Sequence, residues 1–134
     1  MQEAAESLET FIINICKNHD SISKTSTTSG SLTYKTLVEL MNHNVLKNIT
    51  IEDLSNRSFV SVSYIKALFY RYARVSPKAY YNDLRIATAQ DLLKQGLSIN
   101  DVAEKMNFSS PNYFSLFFKK HTNMTPLQYK KTLR

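Results

Sequence analysis

The chain has 134 residues and a net charge of +6, because 17 Lys and Arg outnumber 11 Asp and Glu. This length fits one domain of ordinary size or two small subdomains that share a core. Cys16 is the only cysteine, so an internal disulfide is excluded and a reducing compartment is favoured. With no signal peptide and no apolar run near the roughly 20 residues that span a bilayer, we expect a cytoplasmic protein without membrane contact.

The charge is unevenly distributed along the chain. Residues 1–30 carry four acidic residues against two basic ones, whereas the remainder carries fifteen basic residues against seven acidic ones. A basic region behind an acidic leader fits a polyanionic partner such as nucleic acid. A solvated basic surface that binds nothing is the alternative.

Residues 1–30 are predicted to be the end of an upstream region followed by a linker. Within residues 4–17, an apolar stripe at helical spacing predicts an amphipathic helix. Its members are Leu8, Phe11, Ile12 and Ile15. The segment SISKTSTTSGS, residues 21–31, is rich in Ser and Thr and has almost no core residues, so we predict a linker or disordered loop there. We therefore expect a C-terminal fragment of a longer protein, with a complete small protein and an unimportant leader as the alternative.

Residues 31–75 are predicted to form a first unit of three helices. The first helix, at residues 31–47, has the apolar set Leu32, Leu37, Val38, Leu40 and Met41. The second, at residues 50–57, begins with Thr50 and Asp53 in a spacing close to a capping box. The third, at residues 61–72, has one face pointing inward and one pointing outward. Its inward residues are Ile65, Leu68, Phe69 and Tyr72, and its outward residues are Ser63, Lys66, Ala67 and Tyr70.

Residues 76–96 are predicted to form a long connecting helix. Ser76 supplies the N-cap, Pro77 takes the first helical position and Gly96 closes the helix. About 19 residues at 1.5 Å each give a strut of about 28 Å. We expect Arg85 to be structural and to pair within this helix.

Residues 97–134 are predicted to form a helix-turn-helix unit with a third helix opened by Thr125 and Pro126. The first helix has an apolar stripe, Asn107 takes the turn, where positive φ is wanted, and Ser109 and Ser110 cap the next helix, whose first turn tolerates Pro111. The stripe consists of Ile99, Val102, Ala103 and Met106. The second helix has an inward face of Phe114, Phe117, Phe118 and His121 and an outward face of Asn112, Ser115, Leu116 and Lys119.

The two units are copies of one another. A shift of 49 residues gives six identical pairs, namely Phe59 with Phe108, Ser61 with Ser110, Tyr64 with Tyr113, Phe69 with Phe118, Pro77 with Pro126 and Tyr80 with Tyr129. Upstream of the turn the shift becomes 48, so the second copy has one extra residue near its turn. The outward residues of the two helices also correspond at the shift of 49, which is the pattern expected of two readers.

From about Leu32 to Lys131 the chain resembles the DNA-binding domain of the AraC/XylS family of bacterial transcription regulators. The resemblance is carried by IEDLS, SVSYIKALF, SPKAYYNDLRIATAQDLLKQG and INDVAEKMNFSSPNYFSLFFKKHTNMTP. It implies an all-α fold of two helix-turn-helix units joined by a long helix. Arg74, Asn107 and Asn123 stand where the family usually has Gly. Asn tolerates a left-handed conformation, but Arg74 predicts a strained or differently shaped turn.

The resemblance implies a cytoplasmic, nucleoid-associated regulator that binds double-stranded DNA in a sequence-specific manner. It favours activation through contact with RNA polymerase, with repression by the same fold as the alternative, and it implies dimerisation through a missing N-terminal domain. Recognition helices at about residues 61–72 and 110–121, held on a strut, would enter successive major-groove segments, since a duplex turn is about 34 Å. The tandem, unequal copies predict an asymmetric site or a direct repeat.

Candidate base-reading residues lie on the outward faces of the two recognition helices. They are Ser63, Lys66, Ala67, Tyr70, Asn112, Ser115 and Leu116. Asn112 suits adenine, Lys66 suits guanine, and Ala67 and Leu116 suit thymine methyl groups, which together favour an A·T-rich site. Candidate backbone contacts are Ser61, Arg71, Lys78, Ser110, Lys119 and Lys120. Tyr64 and Tyr113 suit either helix packing or a backbone contact.

The same residues argue against an enzyme. Two glycines supply neither a phosphate-binding loop nor a nucleophile elbow. His19, His43 and His121 lack metal-binding spacing with one another or with Cys16, so we expect no cofactor and no metal. The hypothesis from another class is a basic, all-helical protein-interaction adaptor without specific DNA readout.

Overall fold

A computed structural model describes residues 22–134, which form seven helices and no strand. They are α1 (Ile22–His43), α2 (Ile51–Ser58), α3 (Val62–Tyr72), α4 (Pro77–Lys94), α5 (Ile99–Lys105), α6 (Pro111–Thr122) and α7 (Pro126–Thr132). Helices α1–α3 form a first helix-turn-helix unit, α5–α7 form a second, and α4 joins them. This confirms the all-α fold of two units on a long connecting helix. None of these seven helices is long and apolar enough to cross a membrane.

The first core lies between α1, α2, α3 and the start of α4. Its buried members are Leu37, Met41, Leu54, Ile65, Leu68, Phe69 and Tyr81. The predicted inward face of α3 is confirmed, because Ile65 and Phe69 are fully buried and Leu68 is nearly so. Leu32, predicted as part of the apolar face of α1, is instead 60% exposed. The buried face of α1 runs through Gly30, Leu37 and Met41 at helical spacing, which leaves Leu32 on the other side.

Helix α1 begins earlier than the sequence predicts. Residues 22–31 were expected to be a linker or loop, but they are helical and continuous with the rest of α1. A Cβ built at Gly30 would lie 3.4 Å from Leu68 Cδ2 and 3.6 Å from the hydroxyl oxygens of Tyr64 and Tyr72. At Gly30, close packing on α3 therefore accompanies a helical backbone that the Ser and Thr content of this segment disfavours. The predicted helix at residues 4–17 lies outside the described residues.

Hydroxyl side chains cap the helices where the sequence predicts them. Thr50 and Asp53 form a reciprocal capping box at the start of α2, and Thr125 forms another with Gln128 at the start of α7. Ser76 caps α4, whose first residue is Pro77, and the chain leaves α4 through Gly96 at φ 99°. These caps satisfy amides that lack an intrahelical partner, so they define where each helix starts.

The second core lies between α4, α5, α6 and α7. Its buried members are Ile86, Ala89, Leu92, Leu93, Val102, Ala103, Met106, Phe114 and Phe118. The predicted stripe of α5 and the Phe face of α6 are confirmed. His121 is an exception, because it was predicted to face inward and is exposed. Its ring lies 4.5 Å from the ring of Phe117, which is itself only half-buried, so this row of side chains emerges from the core at the end of α6.

The turns of the two units have the same backbone shape. Phe59 and Asn107 both have φ of 61°, and so does Arg74, while Asn123 has φ of 66°. The turn at Arg74 is therefore left-handed like the others, so of the two predicted alternatives the structure shows a strained turn and not a differently shaped one.

The structural register of the repeat differs from the sequence register at one pair. Phe59 is 66% exposed at the left-handed position and corresponds to Asn107. Val60 packs on the first core in the place that Phe108 takes on the second. The shift of 48 thus extends through the turn, so the identity of Phe59 with Phe108 does not reflect equivalent positions. The extra residue of the second copy is Ser109, between Phe108 and the cap Ser110.

Candidate nucleic-acid interface

The outward faces of α3 and α6 are accessible. On α3, Ser63, Lys66 and Ala67 are exposed, and Tyr70 is exposed over 69% of its surface. On α6, Asn112 and Leu116 are exposed, while Ser115 is half-buried. Polar and small side chains at this spacing offer hydrogen bonds and methyl contacts to a groove in duplex DNA.

Ser61 and Ser110 have their hydroxyls committed to helix capping. Ser61 Oγ accepts a hydrogen bond from the amide of Tyr64 at 3.1 Å, and Ser110 Oγ accepts one from the amide of Tyr113 at 3.0 Å. The backbone amides of the first turn are then the groups at these helix starts that suit a phosphate. A phosphate contact there is a property of the helix terminus rather than of the serine side chain.

Two adjacent depressions lie on the surface beside the predicted recognition helices α3 and α6. The first, of about 530 Å³, lies between α2, α3 and the start of α4 and contains Lys66. The second, of about 320 Å³, lies between α4 and α6 and contains Leu116 and Lys120. Asn48, Lys78 and Asn82 line both depressions, so the start of α4 separates two parts of one surface.

This joined surface is cationic. The exposed side chains of Lys66, Lys78 and Lys120 line it together with His121, and Glu52 is its one carboxylate. An excess of positive charge in a concave surface attracts a polyanion. Among residues 22–134, no group of three or more His, Cys, Asp or Glu could hold a metal ion.

The other candidate residues lie outside the two depressions. Arg71, Lys119, Tyr70 and Asn112 are exposed on the recognition helices. The guanidinium carbon of Arg71 lies 5.5 Å from the centre of the Tyr72 ring on its own helix. The structure thus brings together Lys66, Lys78, Leu116 and Lys120, and it leaves the remaining candidates on the flanks.

Asn48 and Asn82 were missed in the sequence. Lys78, Asn82 and Arg85 recur at i, i+4 and i+7, so they share one stripe of α4. That spacing was the available signal, and it was hidden because α4 buries residues on two sides. Asn48 lies in the segment between α1 and α2, where no periodic pattern marks it.

Arg85 is structural, as expected, and its contacts extend beyond the predicted pairing within its own helix, where its guanidinium carbon lies 5.8 Å from the centre of the Tyr81 ring. It is only 2% exposed. Its Nη1 donates hydrogen bonds to the carbonyl oxygens of Val45 at 2.8 Å and Lys47 at 2.7 Å, and its Nη2 donates to that of Met106 at 2.8 Å. Burial lowers the pKa of Arg85, while Tyr81 acts in the opposite direction. A guanidinium still keeps its charge in proteins, so a buried cation lies where the two units meet.

Tyr64 and Tyr113 occupy equivalent positions but differ in surroundings. Tyr64 is 39% exposed and its hydroxyl lies beside Gly30 of α1. Tyr113 is 53% exposed, with its ring centre 6.0 Å from that of Phe108. Tyr64 therefore has a packing contact with α1, and Tyr113 borders the second depression.

The fold defines a protein with two helix-turn-helix units joined by a long helix. A family model described as a helix-turn-helix domain matches residues 54–132. The chain belongs to the AraC-type helix-turn-helix family of transcription regulators.

Solved structures and curated relatives agree with this assignment. The chain is 28% identical to an AraC-type transcriptional regulator from Chromobacterium violaceum, with a TM-score of 0.69 over 79% of this chain and 96% of that one. The DNA-binding domain of AdpA, solved with a target DNA, has a TM-score of 0.68 over 75% of this chain and 92% of that one, and at 22% identity it supports the fold alone.

Among curated relatives, an uncharacterised response regulatory protein of Staphylococcus epidermidis is 35% identical over 85 residues, or 63% of this chain. The lactose operon transcription activator of Staphylococcus xylosus is 30% identical over 94 residues, or 69% of this chain. The match covers 34% of each of these relatives, so this chain corresponds to about a third of their length.

Proposed function

We propose that the chain binds double-stranded DNA in a sequence-specific manner as the DNA-binding part of a bacterial transcription regulator. Helices α3 and α6 enter successive major-groove segments on one face of the duplex. The observation that carries this proposal is the joined surface, because Lys66 of α3 and Leu116 and Lys120 of α6 line depressions that share the start of α4. A duplex lying across α4 would meet both helices.

Base contacts are assigned to the outward residues of α3 and α6. Lys66 donates to guanine, Asn112 pairs with adenine, and Ala67 and Leu116 contact thymine methyl groups. Ser63, Tyr70 and Ser115 complete the set as flanking contacts. A site with few guanine contacts is rich in A·T pairs, and because the two helices differ in sequence it is a direct repeat or asymmetric.

Backbone contacts are assigned to the cations around these faces and to two helix starts. The cations are Arg71, Lys78, Lys119 and Lys120, and the helix starts are those capped by Ser61 and Ser110. Lys78 is common to both depressions, so it suits a phosphate between the two major-groove segments. Such contacts fix the register of the protein on the duplex without reading its sequence.

Activation of transcription, contact with RNA polymerase and dimerisation through an upstream domain belong to the same proposal. They are supported by the family assignment and by the name of one relative, a lactose operon transcription activator. The family and fold are those of DNA-binding regulators rather than of enzymes.

The test separates base reading from phosphate binding in duplex DNA. Lys66→Ala should cost about 1–3 kcal/mol of binding free energy at one base pair and relax specificity there. Lys120→Ala should weaken binding to all sequences about equally and reduce the slope of log affinity against log salt concentration by about 1. Lys94→Ala, which removes an exposed charge at the far end of α4, is the matched control and should change neither quantity. Fluorescence anisotropy across a salt series measures both.

An adaptor that recognises an acidic protein predicts a different result. Its binding would survive excess competitor DNA and would not depend on Lys66 or Asn112. Equal losses on every DNA sequence for Lys66→Ala and Lys120→Ala would contradict the assignment of the two faces.

A further inference from the structure

Arg85 connects the two units through one buried side chain. Val45 and Lys47, whose carbonyl oxygens accept from Nη1, lie in the segment between α1 and α2 of the first unit. Met106, whose carbonyl oxygen accepts from Nη2, ends α5 of the second unit. A rigid, planar guanidinium has donors in fixed directions, so these bonds constrain the backbones of both units relative to α4.

Arg85 also contacts the turn that precedes α6. Its guanidinium carbon lies 4.7 Å from the centre of the Phe108 ring, and that ring packs against Phe114 at 5.1 Å and Phe117 at 5.3 Å. Phe114 and Phe117 belong to α6. The position of Arg85 is thereby linked to the start of the second recognition helix.

The segment at residues 44–49 is held from other sides as well. The Tyr81 hydroxyl donates to the carbonyl oxygens of Asn44, at 2.8 Å, and Lys47. Leu46 packs on the second core although it belongs to the first unit. A buried cation is tolerated where its donors are satisfied, and here the acceptors are backbone carbonyls from both units. The arrangement resists sliding or rotation of one unit against the other.

We propose that Arg85 is a positioning residue that sets the spacing and rotation between the two recognition helices, and thereby the number of base pairs between the two blocks of the DNA site. This inference rests on the proposed function. Adding or removing one base pair moves one block by about 3.4 Å and about a tenth of a turn. A chain that holds its two recognition helices at a fixed spacing cannot place both of them on their blocks after such a shift.

The experiment measures affinity for duplexes in which the two blocks of the selected site are separated by the preferred spacing, or by one or two base pairs more or fewer. Duplexes that keep only one block are measured in parallel. The wild-type chain should lose about tenfold or more in affinity at a shifted spacing, comparable to losing good base contacts. Arg85→Met, which keeps volume but removes the donors, should reduce that loss to about twofold and leave affinity for single-block duplexes unchanged.

Arg57→Met is the matched control. Arg57 Nη1 donates to Asn44 Oδ1 at 3.1 Å, so it contacts the same segment but stays within the first unit. This variant should keep the wild-type spacing profile, which is the dependence of affinity on the number of base pairs between the two blocks. Arg85→Lys retains the charge without the planar guanidinium and should lose an intermediate amount of affinity at a shifted spacing. Leu46→Ala removes a contact of the first unit with the second core, so it should also make affinity less dependent on the spacing. If circular dichroism shows Arg85→Met to be unfolded, these two variants carry the test.

Three results would overturn the inference while leaving the proposed function intact. The first is a wild-type spacing profile in folded Arg85 and Leu46 variants, and the second is a wild-type chain that tolerates all spacings. A folded Arg85→Met that loses single-block binding as well would also overturn it, because Arg85 would then act within one reader. Failure of the wild-type chain to bind any duplex would reject the proposed function itself.

Discussion

At the scale of single residues, four described residues with a β-carbon occupy left-handed backbone positions: Phe59, Arg74, Asn107 and Asn123. A β-carbon in this region costs roughly 1–2 kcal/mol, although Asn tolerates it better than most residues. Two of the four are not Asn. The chain therefore has local strain at Phe59, before α3, and at Arg74, after it, on either side of the first recognition helix.

Arg74→Gly should raise the free energy of unfolding by about 0.5–1 kcal/mol, because relief of the left-handed strain exceeds the entropy that Gly adds to the unfolded chain. The amide of Arg74 donates to the Phe69 carbonyl oxygen at 2.9 Å, and Gly retains that bond. Urea unfolding followed by circular dichroism measures the change. Arg74→Ala removes the same exposed side chain but keeps the β-carbon, so an equal gain from both substitutions would show that strain is not the cause.

At the scale of elements, the start of α2 depends on one carboxylate. Asp53 accepts a hydrogen bond from the backbone amide of Thr50 at 2.9 Å, and the Thr50 hydroxyl accepts one from the amide of Asp53 at 3.1 Å. The bond from the Thr50 backbone, followed by that with its side chain, lowers the pKa of Asp53 below its ordinary value of 3.8. A carboxyl with a lowered folded pKa contributes stability above its unfolded pKa and loses it as pH falls through the folded value.

Asp53→Asn should therefore destabilise the chain at pH 7 and progressively less as pH falls below about 4, where the wild-type carboxyl also becomes neutral. Thermal or urea unfolding of both proteins from pH 7 down to pH 2 measures the difference. A difference in stability that stays constant over this range would show that the charge of Asp53 has no role in the cap.

Helix α1 gives an element-scale test of its own. Gly30 lies within α1, so Gly30→Ala should raise the free energy of unfolding by about 0.5–1 kcal/mol, because Ala is the better helix former and its Cβ fits at 3.4 Å from Leu68 Cδ2. Gly30→Leu should lower it, since its longer side chain meets the hydroxyls of Tyr64 and Tyr72. An unchanged free energy of unfolding in both variants would contradict a helix at this position and favour the predicted loop.

At the scale of the whole molecule, the fold could be predicted because its signals are local. Apolar residues at helical spacing, such as Val102 and Met106, define the inward faces, and hydroxyl caps such as Ser76 define the starts. The early part of α1 could not be predicted, since Gly30 in a Ser- and Thr-rich run favours a loop until its contact with α3 is known. Arg85 was expected to be structural, but the carbonyl oxygens that accept its hydrogen bonds lie 21 to 40 residues away in the chain, and no local pattern indicates them.

The site was predicted in outline for the same reason. Outward positions on α3 and α6 follow from helical spacing, and the structure adds how Lys66 and Lys120 are brought to one surface by α4. Asn48 and Asn82 line both depressions without belonging to a recognition helix. Their part in the surface depends on the packing of α4 between two cores, which spacing alone does not reveal.

Selection of the purified chain against random duplex DNA, at near-physiological salt and with sequencing of the retained pool, tests the central claim most directly. Two readers on a rigid helix predict an enriched motif with two blocks about one helical turn apart, arranged as a direct repeat or asymmetrically. Enrichment of a single block would contradict readout by both units. No enrichment, with binding that falls steeply as salt rises, would contradict sequence-specific recognition altogether.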